Sequence, residues 1–118
     1  MRRLAWTICI CALPLAGCGA SAVFEAEFDS YKNGVLTVDC SDEVNKGKRN
    51  IDDVAYLCGI RIAENTKIAA ESGTAVSFEE MEPAAPLRIV LTKPRKITKD
   101  ADDRMTGLVA EEAIWLGR

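Results

Sequence analysis

Histidine is absent from the 118-residue sequence. Its absence removes the commonest general base, the commonest metal ligand and the usual pH switch together. A serine triad therefore has no base, and a zinc site needs more cysteine and histidine ligands than the chain supplies. Net charge is −3, with no clustered excess of lysine and arginine of the kind that neutralises nucleic-acid phosphates. No apolar run approaches the roughly 20 residues that cross a bilayer as a helix. No internal repeat is visible, and the length suits one domain rather than two.

What is present begins at the front of the chain. Arg2 and Arg3 precede an apolar segment from Leu4 to Ala16 that Pro14 interrupts. Its 13 residues are too few for a permanent span and fit a removable signal. Leu15, Ala16 and Gly17 then offer what a signal peptidase accommodates, and Cys18 follows. A chain cut between Gly17 and Cys18 loses Arg2 and Arg3. It keeps 13 basic against 18 acidic residues, a net charge of −5.

Leu15-Ala16-Gly17-Cys18 resembles the lipobox of bacterial lipoproteins. The resemblance covers the first 18 residues only. It implies a signal peptide over residues 1–17 and a cut before Cys18. It also implies a diacylglycerol on the Cys18 sulfur and commonly an acyl group on the new amine. Two or more buried chains hold a protein stably at a bilayer, where one does so only marginally. Gly19 in place of an aspartate points, by the same resemblance, to the outer membrane and its periplasmic side.

Five cysteines are present. Cys9 and Cys11 leave with the signal and Cys18 carries lipid, so Cys40 and Cys58 remain as an even pair in an oxidising compartment. Leu36, Val38 and Cys40 alternate onto one face of a strand, while Val54, Leu57, Cys58 and Ile62 share a stripe at helical spacing. Both sulfurs then face one core. The expectation is a Cys40–Cys58 disulfide pinning helix to strand; two buried free thiols are the alternative.

Along the processed chain, residues 18–22 read as a lipidated N-terminus and short tether, and residues 23–118 as one domain. Phe24, Ala26 and Phe28 alternate with Glu25 and Glu27, as in a half-buried strand. Asn33-Gly34 is the favoured dipeptide of a type I′ turn, with Val35 to Cys40 as the return strand. Asn50 as a cap, Asp52 and Asp53 in a first turn and Gly73 as a stop predict a helix from Ile51 to about Ser72. Gly59 within it reads as a close-packing point. Thr74 to Met81 and Leu87 to Thr92 read as strands, with Pro83 to Pro86 turning between them and Pro94 ending the second. The last segment, Thr106 to Arg118, reads as a short helix or an edge strand.

The predicted order is β-β-α-β-β-α. This is an α+β fold, a two-layer sandwich of an about four-stranded mixed sheet with one long helix and a short C-terminal helix. The stretch "RIAENTKIAAESGTAVSF" is loosely similar to the helix-then-strand layout of small Gram-negative envelope lipoproteins.

No constellation of reactive residues stands above background. Ser41, Ser72 and Ser77 have no partnered lysine at a telling spacing. The carboxylate pairs Asp52/Asp53, Glu79/Glu80, Asp102/Asp103 and Glu111/Glu112 are adjacent surface residues. Asp100 to Arg104 lacks the loop glycine and distal glutamate of an EF-hand. The sharpest charged feature is Lys93, Arg95, Lys96 and Lys99, suited to lipid phosphates or an anionic envelope polymer. Glu79, Glu80 and Glu82 are expected on a neighbouring strand, where they would offset it.

The expected function is a non-enzymatic, lipid-anchored envelope protein that binds a partner or scaffolds the envelope. No cofactor, metal or nucleic acid is expected. The membrane is reached through the lipid on Cys18, and the partner is an envelope protein or polymer. The alternative is an inhibitor or immunity protein acting on a cell-wall hydrolase, toxin or phage. It would present the Pro83–Pro86 turn to a cleft.

Overall fold

The computed structural model describes residues 20–47 and 54–117. The signal segment, Gly17, Cys18 and the expected helix start at Asn50–Asp53 lie outside them. Five strands form one closed barrel in the order β1-β2-β3-β5-β4, and β4 pairs back onto β1. They are β1 (Ala20–Lys32), β2 (Val35–Asp39), β3 (Leu57–Ala70), β4 (Pro86–Lys96) and β5 (Val109–Trp115). All neighbours are antiparallel except β3 and β5. This is the connectivity of the OB-type barrel, a five-stranded Greek key. Two one-turn helices, α1 (Ser41–Val44) and α2 (Ala101–Met105), and a 3₁₀ turn at Phe78–Glu80 fill the connections.

The first hairpin follows the sequence pattern. Phe24, Ala26 and Phe28 point inward while Glu25 and Glu27 face water. Leu36 and Val38 continue the same interior from β2. Between the strands Asn33 and Gly34 both take positive φ, 54° and 78°, as a type I′ turn requires. Burial of the interior drives the closure. Phe24, Leu36, Ile60, Leu87, Ile89 and Leu108 are each at most 3% exposed and belong to one continuous core.

The two-layer sandwich with a long helix is overturned by this barrel. The segment expected as a helix to Ser72 is β3, a 14-residue strand. Cys58 and Ile60 enter the core at a period of two, while Val54 and Leu57 of the expected helical stripe are exposed. The choice falls to the ladder with β2, in which Cys58 pairs with Val38 and Ile60 with Leu36. Farther on, the helix-forming stretch around Lys67 and Ala69 pairs with Glu112 and Ile114 of β5, so tertiary pairing overrides propensity. A register break between Ile62 and Lys67 is bridged by Thr66, whose hydroxyl accepts from Ala63 N and donates to the Ala110 carbonyl.

The C-terminal helix is likewise replaced by a strand, β5. Against β4, Val90 pairs with Glu112 and Leu91 with Ala110, leaving Glu111 as an extra residue. The bulge turns both Ala110 and Ala113 inward. Their spacing of three imitates a helical face. Nor is β5 an edge, because β3 and β4 flank it. The expected strand at Thr74–Met81 is reduced to one bridge, Ala69 to Ala75, followed by the 3₁₀ turn. Phe78 from that turn packs beside Phe28 at 6.1 Å and Tyr31 at 4.9 Å between ring centroids.

Pro94 does not end β4. Between the pairs Val23–Val90 and Ser21–Arg95, β1 advances two residues and β4 advances five. Leu91 to Pro94 lie in the resulting bulge, where a residue without an N–H is tolerated. The ladder then resumes to Lys96. Ala20 to Ala22, read as tether, are the first residues of β1.

Cys40 and Cys58 form a disulfide with Cα atoms 5.9 Å apart and a sequence separation of 18. Both are fully buried. The bond ties the residue after β2 to the second residue of β3, so it joins two strands and not a helix and a strand. Its benefit lies in closing the loop that contains α1. Replacing both cysteines by alanine lowers the unfolding free energy by about 3 kcal/mol in the loop-entropy account. Urea titration of the two proteins measures it, and equal midpoints would contradict it.

Candidate functional site

Among the described residues, three recesses stand out on the barrel's outer surface. The first, about 230 Å³, lies on the outer face of β2 and β3 beside the segment leading into β5. Gly59 is its floor. A Cβ there would sit 3.1 Å from Met105 Cε, so the missing side chain lets Met105 lie on the strand. The close-packing role expected of Gly59 is therefore met, on a strand instead of a helix. Lys32 pairs with Val35, Val35 with Arg61 and Arg61 with Val109, which makes a row across four strands. Lys32, Val35 and Arg61 of that row are exposed.

The connection from β4 to β5 walls this recess and is firmly held. Asp100 caps α2 by accepting from Asp102 N at 2.9 Å. Thr98 Oγ1 donates to Asp103 Oδ2 at 2.7 Å. Arg104 donates to the carbonyls of Leu57 and Lys99, and its guanidinium lies 5.2 Å from the Tyr56 ring centroid. Arg95 Nη1 donates to the Gly107 carbonyl at 3.1 Å. Gly107 has φ of 85°, and a Cβ on it would fall 2.7 Å from Arg95 Nη2. The positive φ calls for glycine there, and its bareness leaves room for the Arg95 guanidinium. Asp100 to Arg104, read from sequence as loop charge, is thus a capped helical turn fastened to β3.

The second recess, about 240 Å³, is acidic, with Glu25, Glu27, Asp39 and Asp42 around Ser41 and Pro86. Ser41 is occupied structurally: its hydroxyl donates to Asp39 Oδ1 at 2.6 Å and accepts from Tyr56 N at 2.8 Å. Among the described residues, no three His, Cys, Asp or Glu side chains are placed to hold a metal ion. Ser77 accepts from Glu79 N at the start of the 3₁₀ turn, and the hydroxyls of Ser72 and Thr74 lie 3.1 Å apart. None of the three serines is brought beside a lysine by these bonds.

The third recess, about 430 Å³, runs past Phe28, Leu57, Pro83 and Ala84. Here the Pro83–Pro86 turn is bonded to β1: Ala84 N donates to the Phe28 carbonyl and Phe28 N to that of Ala85, both at 2.8 Å. The turn is part of the barrel wall. Ala84 takes φ of 72°, an uncommon conformation for a residue with a Cβ. Trp115 is half-buried and packs against the core.

Lys93, Lys96 and Lys99 are exposed and Arg95 is half-buried. Lys93 lies in the β4 bulge, and Arg95 and Lys96 pair with Ser21 and Ala20. Lys99 belongs to the separate connection below Arg104. The ion pairs among the described residues are Lys46 with Glu43 at 3.3 Å and Arg88 with Glu71 at 3.9 Å. Neither involves Lys93, Arg95 or Lys96. Glu79, Glu80 and Glu82 precede β4, whereas the cations stand at its far end, so the strand separates the two clusters. Nothing in the sequence periodicity announced the recess over Gly59, because it is assembled from three strands and a loop.

The chain matches no protein-family model, no curated protein and no solved structure. What can be defined is therefore the class of architecture: a disulfide-braced, five-stranded closed barrel of OB type. Among the described residues no helix is long and apolar enough to cross a membrane.

Proposed function

We propose that this protein is a lipid-anchored envelope lipoprotein that binds an anionic envelope polymer without transforming it. One observation carries the reading: Ala20, two residues after the cysteine of Leu15-Ala16-Gly17-Cys18, is already paired in the barrel, opposite Lys96. The five strands and the core they enclose, as described, lie after Cys18. The buried Cys40–Cys58 disulfide fits an oxidising compartment, the outer-membrane periplasmic face being the expected one.

For the binding role the support is the β2–β3 face. By fold-level analogy, barrels of this type take oligonucleotides or oligosaccharides on that face, between the β1–β2 and β4–β5 connections. Here the face offers an apolar floor of Val35 and Met105 with Lys32 and Arg61 along it. Two cations beside a shallow apolar floor suit a glycan polymer that carries carboxylates or phosphates.

Intact-mass measurement on the protein from membranes tests the anchor. The expected chain starts at Cys18 and carries lipid, and Cys18→Ser shifts it out of the membrane fraction. A start elsewhere, or an unmodified Cys18, contradicts the reading. Co-sedimentation with isolated cell-wall sacculi and with lipopolysaccharide tests the binding role. Arg61→Glu is expected to weaken sedimentation with the polymer at least about tenfold, the scale of a lost charged hydrogen bond, with an unchanged melting temperature. Equal sedimentation of the two proteins contradicts it.

A further inference from the structure

The cationic end of β4 and the first residues of the barrel are one place. Ala20 is paired with Lys96 and Ser21 with Arg95, and Ala22 stands opposite the bulge that contains Lys93. Residues two to four positions after Cys18 are thus lined by Lys96, Arg95 and Lys93. Ala20, Ser21 and Ala22 are small, so the long cationic side chains across the ladder have no bulky neighbour on β1. Two residues of backbone span at most about 7 Å. That is within the Debye length of about 8 Å at physiological ionic strength.

The carboxylate beside this place is engaged. Glu43 accepts from Ser21 Oγ at 2.7 Å and from Lys46 Nζ at 3.3 Å. The acidic recess at Glu25, Glu27 and Asp39 lies farther along β1, and the 3₁₀ turn with Glu79 and Glu80 packs near Phe28 and Tyr31. From Ala20 to Phe28 is about 26 Å along the strand. The Asn33–Gly34 turn, at the other end of the 13-residue β1, is about 40 Å along the strand from Ala20. Lys93 and Lys96, exposed and in neither ion pair among the described residues, thus stand at the end of the barrel that carries Ala20.

From this juxtaposition we propose that Lys93, Arg95 and Lys96 form a membrane-docking edge that rests on anionic phospholipid headgroups of the bilayer holding the Cys18 lipid. The proposal depends on the anchor at Cys18 proposed above. With Ala20 within two residues of the bilayer surface, the lysines need no approach from solution. The anchor supplies their proximity, and the headgroups supply the counter-charge that the barrel withholds. Docking by this edge sets the barrel's attitude. The Asn33–Gly34 turn and the row from Lys32 to Arg61 then face away from the bilayer, open to a partner. Arg95, fastened to the Gly107 carbonyl, links this edge to the wall of the β2–β3 recess.

Lysine footprinting on a chemically supplied anchor tests the proposal. With Cys40 and Cys58 joined, the processed chain has one thiol, Cys18, which couples to maleimide-phospholipid in preformed vesicles. Vesicles of phosphatidylcholine alone are compared with vesicles that also contain phosphatidylglycerol, and amine-reactive labelling is read for each lysine by mass spectrometry. On the anionic vesicles Lys93 and Lys96 are expected to label about fivefold more slowly, the scale of one lysine–surface interaction. Lys32 and Lys67 are expected to label at equal rates on both. Equal rates for Lys93 and Lys96 on the two vesicles would overturn the proposal, as would equal slowing of Lys32 and Lys67. Because the tether is synthetic, the outcome does not depend on whether cells lipidate Cys18, which the intact mass reports separately.

Discussion

The pairing of β1 with β4 is the constraint on which the rest of the structure depends. Without it the five strands form an open sheet with two unpaired edges, and the interior has no closing wall. With it, Phe24 stands beside Ile89 and Ala26 beside Leu87, and the apolar faces of five strands enclose one core. The ladder runs from Glu27 opposite Pro86 to Ala20 opposite Lys96, interrupted by the bulge at Leu91–Pro94. The bulge lets a strand containing Pro94 stay in register at both ends.

The same ladder links fold to function. It draws Ala20 to Ala22 out of a tether and into the barrel, which places the body of the protein directly after Cys18. It also fixes where the charges go. Lys93 and Lys96, in neither ion pair among the described residues, stand at the end of β4 that pairs with Ala20 and Ser21. The β2–β3 face, with Gly59 under Met105, lies on another part of the wall. A single closed sheet so carries both the cationic end proposed to meet a bilayer and the β2–β3 recess, with the Arg95–Gly107 hydrogen bond between them. The disulfide does different work, bracing β2 and β3, the two strands that form that recess.

The first third of the barrel was legible in the sequence and the rest was ambiguous for identifiable reasons. Phe24, Ala26 and Phe28 alternate without interruption, and Asn33-Gly34 has one favoured use, so the hairpin could be read directly. The Cys40–Cys58 bond was foreseen from counting and from inward faces, although its second half sits on a strand. Reading failed in β3 because Cys58 and Ile62 also lie at helical spacing and the following residues are good helix formers. Long-range partners, Val38 on one side and Ala113 on the other, decided the matter, and a local pattern does not contain them. Reading stayed divided between helix and edge strand in β5 because the bulge at Glu111 interrupts the period of two. The cationic run was visible in sequence as Lys93, Arg95, Lys96 and Lys99. Its division into an edge beside Ala20 and a separate Lys99 came only from the ladder.

Native-state hydrogen exchange across β1 is the most direct test of this account. If the β1–β4 ladder closes the barrel from Ala20 onward, the backbone amides in residues 21–28 that point at β4 exchange far more slowly than a free chain, with protection approaching that of Ile89 toward the ladder's centre. Free-chain exchange at residues 21–23, with protection beginning only at Phe24, would show a loose tether ahead of a shorter strand. The cations would then no longer be held beside the anchor, and the account of how this barrel meets its bilayer would fail.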